Sequence, residues 1–192
     1  NDLLEEMLKI ATVKYPPQVL EHEMEHVVEN VTHDLEHQKM ELDVYLNPIQ
    51  PIYWSEDMLA VKYADSILKS DRLPDEKIRA VYNHMIYYYK YDWSKYNNLP
   101  STYVPDIEET YIEKKGICYD YASLTAYLLR SMGYPARLVK GYSNLVNGYH
   151  AWNEIYMDGK WIVIDTTYDS MANKHYISFV KDSDDYQAVN TY

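Results

Sequence analysis

The hydrophobic pattern of this chain changes once, at Gly133, from helical spacing to the period of strands. The helices predicted before this glycine span 57–70, 74–91 and 116–132. The strands predicted after it span 136–142, 149–157, 160–167 and 175–180. Because the helices come first and the strands second, the sequence predicts an α+β domain with an antiparallel sheet.

The dipeptide Asp158-Gly159 predicts a tight turn between the second and third of these strands. A two-residue turn would place His150 opposite Thr167, and therefore diagonal to Asp165 on the same face of the sheet. Diagonal neighbours lie about 7–8 Å apart at the backbone, so the two side chains can reach each other. A three-residue turn would shift the register by one and separate them. The opposite face is apolar, with Ala151, Ile155, Met157, Ile162 and Ile164.

Cys118 is the only cysteine among the 192 residues, so the chain cannot form a disulfide within itself. It lies near the start of a predicted helix, where unpaired N–H groups and the helix dipole favour a thiolate. His150 and Asp165 follow it in the sequence. A thiol nucleophile, an imidazole base and an orienting carboxylate are the groups that cysteine acyl-transfer chemistry needs.

Several segments around these residues resemble a bacterial transglutaminase-like domain over roughly residues 70–168. They are Gly116-Ile117-Cys118-Tyr119-Asp120-Tyr121-Ala122, Gly133-Tyr134-Pro135-Ala136-Arg137, His150-Ala151-Trp152 and Asp165-Thr166-Thr167, with Tyr91-Asp92 upstream. The resemblance implies a papain-like, transglutaminase-like α+β core in which the helix that carries the cysteine packs on the antiparallel sheet. It also implies a Cys-His-Asp triad of Cys118, His150 and Asp165.

The resulting hypothesis is cysteine-dependent acyl transfer on peptide or protein amides, without a metal ion or cofactor. The acyl group would pass to an amine in a transferase, or to water in a peptidase or amidase. The backbone N–H of Cys118 would help bind the oxyanion, with Tyr91 or Trp93 as the second donor. Trp152 would be a substrate wall or simple packing. A rival interpretation is a non-catalytic peptide- or glycan-binding module, since relatives of such domains include inactive members.

Residues 1–50 form a separate predicted unit, an amphipathic helical extension that precedes a catalytic domain of residues 51–192. Pro48 and Pro51 break the helix between the two. Residues 15–46 resemble a helical arm from the C-terminal domain of bacterial trigger factor. Since the chain lacks the ribosome-docking loop and prolyl-isomerase domain of that family, the resemblance does not imply chaperone function. An arm packed on the domain would cover the Cys118 cleft, whereas a free arm would self-associate through its apolar stripe.

The segment His22-Glu23-Met24-Glu25-His26 matches the HExxH pattern of zinc metalloproteases. His33 and His37 fall on the same face of the predicted helix, opposite the apolar residues. That face would point to solvent, and no third ligand accompanies it. We therefore expect no catalytic metal site here.

The charge and hydropathy of the chain exclude several classes of partner. A net charge of −12 without a basic patch disfavours binding to nucleic acid or to anionic membranes. No apolar run approaches the roughly 20 residues of a membrane span, and Asn1-Asp2-Leu3 does not begin a signal peptide. Similar bacterial domains are often exported, which favours an extracellular or cell-surface location.

Overall fold

The structure is a computed structural model that describes residues 27, 30–34, 36, 37, 39, 41–47, 55, 57–172 and 177–192. It divides into two units, residues 1–41 and 42–192. The described residues from 27 to 44 are helical. The HExxH segment lies outside the described residues, as does the part of the trigger-factor-like stretch that precedes it. The division at residue 41 precedes the boundary predicted at residue 50, which stays a prediction.

Among the residues described from 57 onwards, five helices precede the main sheet. They are α1 (Leu59–Leu68), α2 (Pro74–Tyr88), α3 (Trp93–Asn97), α4 (Ile107–Glu113) and α5 (Cys118–Ser131). The first turn of α2 carries Pro74, Asp75 and Glu76, and the Glu76 side chain accepts from the Leu73 backbone N–H. The three predicted helices are confirmed, with ends that differ by a few residues. No helix is predicted between residues 91 and 116, but this stretch contains α3 and α4, which begin after the capping aspartates Asp92 and Asp106.

The main sheet has four antiparallel strands in the order β5-β4-β3-β6. The strands are β3 (Ala136–Ser143), β4 (Val146–Met157), β5 (Lys160–Ile164) and β6 (Tyr186–Thr191). A separate parallel pair, β1 (Lys90–Tyr91) and β2 (Lys115–Gly116), ends α2 earlier than predicted and holds the segment just before Cys118 in place.

The β4–β5 hairpin has the predicted register. Its pairs run from Asn153 with Ile164 to Met157 with Lys160. Asp158 and Gly159 both have positive φ, 51° and 78°, which is the backbone of a type I′ turn. The two-residue turn is therefore confirmed.

Two strand predictions are wrong, one at its end and one in its position. β5 stops at Ile164, because Asp165 caps a short helix, α6 (Thr166–Met171). The strand predicted over 175–180 is not formed at 177–180, and residues 173–176 lie outside the described residues. The fourth strand is β6 instead, which pairs with β3 after a 3₁₀ turn at Ser183–Asp185.

Helix α5 is buried from residue 120 to 130 and packs against β3 and β4, as expected for the central helix of an α+β core. The apolar hairpin face contributes Ala151, Ile155 and Ile164 to this core. The other face carries a smaller cluster, Val139, Trp152 and Val163, with Tyr186 against it. The predicted fold class is confirmed. The alternating residues of the β4–β5 hairpin contribute to two different clusters, one on each face of the sheet, as predicted.

Candidate active site

Cys118 is the first residue of α5, and the carboxylate of Asp120 fixes this helix start. The Asp120 side chain accepts from the backbone N–H of Ile117 at 2.8 Å, and it also accepts from the Tyr103 hydroxyl. Lys95 lies 3.5 Å from the same buried carboxylate. A Cβ at Gly116 would meet the Asp120 Cβ at 2.5 Å, so only glycine fits there without rearrangement. The partly buried thiol therefore sits on a well-anchored turn.

His150, on β4, lies 2.7 Å from Asp165 at the start of α6, measured from Nε2 to Oδ2. The Cys118 side chain lies beside the same imidazole, close enough to raise its pKa, and because Nε2 is bonded to Asp165, Nδ1 is the nitrogen left for the sulfur. His150 is only 5% exposed and Asp165 is fully buried. The structure thus brings together the three residues singled out from the sequence.

The charges around His150 favour its protonated form. Burial by itself lowers the pKa of His150, but the hydrogen bond to Asp165, the neighbouring Cys118 side chain and the negative charge of Asp165 outweigh it. The pKa rises from 6.5 to about 10. At neutral pH the ring is therefore an imidazolium between the Asp165 carboxylate and the Cys118 sulfur.

Asp165 has two further partners besides the imidazole. Its Oδ1 accepts from the Tyr168 backbone N–H at 2.9 Å, which caps α6, and its Oδ2 accepts from the Tyr186 hydroxyl at 3.0 Å. Burial and the nearby carboxylate raise the pKa of Tyr186, so its hydroxyl remains a donor. Sequence reasoning missed Tyr186, because no local pattern relates a residue on β6 to one 21 positions earlier.

Trp152 is buried beneath the site. It is 1% exposed, with its ring 6.3 Å from that of His150 at 24° and 5.1 Å from that of Tyr186. It is not among the residues that line the clefts around Cys118. Trp152 therefore lies in a packing position behind the imidazole.

Tyr91 and Trp93 line the site on its other side. Their rings lie 4.6 Å apart, and Trp93 is 60% exposed. Burial raises the pKa of Tyr91, as does the charge of Cys118, while a hydrogen bond from the Cys118 backbone opposes the rise. The Tyr91 hydroxyl therefore lies beside the backbone N–H expected to bind an oxyanion.

Two clefts meet at Cys118 and His150. The larger has a volume of about 390 Å³ and the smaller about 310 Å³. Tyr96 and Tyr149 also line both. The larger adds Tyr91, Trp93 and Met171, and the smaller adds Leu99, Tyr119 and Lys140. A thiol at the junction of two clefts can hold an acyl group on one side and an amine on the other.

Within the described part of the chain, no three or more His, Cys, Asp or Glu side chains are grouped so as to hold a metal ion. His22 and His26 lie outside that part. None of its helices combines the length and apolar character needed to cross a membrane.

The sequence matches known proteins over the part that forms this site. A profile of the Transglutaminase-like superfamily matches residues 61–166. An uncharacterized protein of Mycobacterium leprae (strain TN) is 39% identical over 74 residues, which cover 33% of this chain and 26% of that protein. The chain thus spans about a quarter of the length of this relative.

Solved structures share the fold. A candidate cysteine protease from Cytophaga hutchinsonii superposes with a TM-score of 0.56 at 20% identity, over 79% of this chain and 54% of that one. Legionella pneumophila LapG superposes with a TM-score of 0.52 at 16% identity, over 68% of this chain and 70% of that one. At these identities the likeness establishes the architecture alone.

Proposed function

Because the chain belongs to the transglutaminase-like superfamily, we propose that it is a cysteine-dependent enzyme that transfers acyl groups from peptide or protein amides. Cys118 is the nucleophile, His150 moves the proton, and Asp165 orients the imidazole. The observation that carries this proposal is that His150 is hydrogen-bonded to Asp165, lies beside Cys118, and shares with Cys118 the wall between two clefts.

In the first half-reaction the Cys118 sulfur attacks the amide carbonyl carbon and the C–N bond breaks. The imidazolium of His150 gives its proton to the departing amine, which leaves a thioester on Cys118. The developing oxyanion would accept from the Cys118 backbone N–H and from the Tyr91 hydroxyl, which keeps its proton because its pKa is raised. Trp93 supports the Tyr91 ring from the exposed side.

In the second half-reaction an amine or water takes the acyl group. An amine gives a new amide and defines a transferase, whereas water gives a carboxylic acid and defines a peptidase or amidase. The two clefts suit both outcomes. One cleft would hold the acyl group, and the other would release the leaving amine and then admit the incoming amine or water.

The test is to incubate the protein with activated acyl peptides and to measure intact mass. We expect one acyl adduct on Cys118 of the wild-type protein and none on Cys118→Ala. A fluorescent primary amine added afterwards should receive the acyl group if the enzyme is a transferase, while release of free acid in its presence indicates a hydrolase. An adduct that persists in Cys118→Ala would exclude the proposal. Peptides that protect Cys118 from alkylation but never acylate it would favour the binding module.

The helical extension over residues 1–50 would pair two copies of the chain. Val27 and Val31 are 59% and 52% exposed. Exposed apolar side chains on one helix face are typical of a surface that binds another helix. Light scattering across a range of concentrations tests self-association. A mass that stays monomeric throughout, also in the presence of substrate, would exclude the pairing.

A further inference from the structure

Lys140 is a cation on the wall of the smaller cleft, which also contains Cys118 and His150. Its Nζ lies 3.2 Å from the ring centroid of Tyr119 and 5.3 Å from that of Tyr192. The two rings hold the half-buried ammonium in place through cation–π contacts.

This ammonium differs from those of Lys95 and Lys181, two partly buried lysines that are paired with carboxylates, and resembles that of Lys114, which lies 3.5 Å from the ring centroid of Tyr111. Lys95 lies 3.5 Å from Asp120, and Lys181 lies 2.6 Å from Asp169. No carboxylate of the described residues forms an ion pair with Lys140. Burial lowers the pKa of Lys140, although the charge of Cys118 opposes the fall. The protein therefore bears the cost of partly burying this charge without compensating it by an ion pair.

The strand around Lys140 is irregular. The β3–β6 register shifts between Lys140 and Gly141. A Cβ at Gly141 would lie 2.0 Å from the backbone oxygen of Gln187, so the strands approach too closely for a side chain there. Irregularities of this kind commonly re-aim a side chain beside an active site.

From these contacts, and resting on the proposed function, we infer that the smaller cleft binds a substrate carboxylate and that Lys140 is its ion-pair partner. The carboxylate belongs to an acidic side chain or to a chain terminus next to the reacting amide. A protein with a net charge of −12 repels anionic substrates at long range, so a local cation is required to accept one.

The single cysteine allows a direct test with two alkylating reagents that differ in charge. Iodoacetate and iodoacetamide both form a carbon–sulfur bond at Cys118 and release iodide, but only iodoacetate carries a carboxylate. We expect the rate with iodoacetate, divided by the rate with iodoacetamide, to fall roughly tenfold in Lys140→Met. A change of this size is expected for the loss of one partly desolvated ion pair. Lys140→Arg should keep the ratio. Lys62→Met, which removes an exposed lysine on α1, controls for net charge.

The ratio of the two alkylation rates distinguishes carboxylate binding by Lys140 from a general change in the reactivity of the Cys118 thiol. Iodoacetamide is uncharged and therefore reports thiol reactivity alone in the same variant. Equal falls for both reagents would leave the ratio unchanged and overturn the inference, as Lys140 would then act only on the sulfur. A wild-type Cys118 that reacts with neither reagent until unfolding would instead contradict the proposed function.

Short peptides identify the source of the carboxylate through their ability to protect Cys118 from iodoacetamide. One pair exchanges a single Asp for Asn, and the other exchanges a free C-terminus for an amide. For the wild-type protein, the peptide that lacks the recognised carboxylate should be needed at a roughly tenfold higher concentration to give half-maximal protection of Cys118. That difference should disappear in Lys140→Met. If neither exchange changes protection in wild type, the inference is wrong.

Discussion

The hydroxyl of Tyr186 lies 3.0 Å from Oδ2 of Asp165, the same oxygen that accepts from His150. Oδ1 of that carboxylate caps α6 through the Tyr168 N–H. Asp165 is therefore held from three directions in a fully buried position. This arrangement fixes the carboxylate, and through it the imidazole, before any substrate arrives.

Tyr186→Phe should weaken this positioning without removing a group that touches substrate. We expect a loss of about 1 kcal/mol in the free energy of unfolding and a roughly fivefold slower alkylation of Cys118 at neutral pH. The pH profile of alkylation should also change, because the carboxylate that pairs with His150 loses one of its donors. Tyr142→Phe, at an exposed position on β3, is the matched control and should leave both unchanged. An unaltered pH profile in Tyr186→Phe would mean that the hydroxyl does not position the imidazole.

The raised pKa of His150 predicts how the stability of the fold depends on pH. The group binds its proton more tightly when folded, so its contribution is complete below about 6.5 and is lost as pH rises towards about 10. Thermal unfolding of wild type and His150→Gln across this range should show a difference that shrinks as pH rises. A difference that grows with pH would show that the folded protein holds His150 neutral.

The turn at Asp158 and Gly159 sets the register that places His150 near Asp165. Gly159 has a φ of 78°, so Gly159→Ala should cost about 1 kcal/mol, because a Cβ is strained in that conformation. Asp158→Asn should be neutral or stabilising, since Asn-Gly is equally suited to a type I′ turn. Urea unfolding of the two variants compares them directly. Equal stability of Gly159→Ala and wild type would contradict the turn assignment.

The lowered pKa of His84 predicts that the stability of the fold also depends on pH below about 6.5. Its ring packs among four tyrosine rings, those of Tyr63, Tyr88, Tyr89 and Tyr111. Burial, with the charge of Lys114 only 3.3 Å away, lowers its pKa from 6.5 to about 4. Its contribution to stability is therefore complete above about 6.5 and lost as pH falls towards 4.

His84→Phe keeps the aromatic packing but cannot take up a proton. Its unfolding temperature should accordingly fall less between these pH values than that of wild type. Equal slopes for the two proteins would show that protonation of His84 does not contribute to acid unfolding.

Local sequence signals determined the central features of this protein. The apolar spacing of residues 116–132 identified the helix that carries Cys118, and the Asp158-Gly159 turn gave the register that relates His150 to Asp165. Both are short-range: a helix face and a two-residue turn are encoded by residues a few positions apart.

Tertiary structure alone decided which distant groups complete the site. Tyr186 reaches Asp165 from a strand that was predicted in the wrong place, and Lys140 lines the cleft because α5 and the sheet meet there. The parallel pairing of Tyr91 with Gly116 likewise joins segments 25 residues apart. Such contacts depend on how whole elements pack, and that packing leaves no repeat or spacing in the sequence from which it could be predicted.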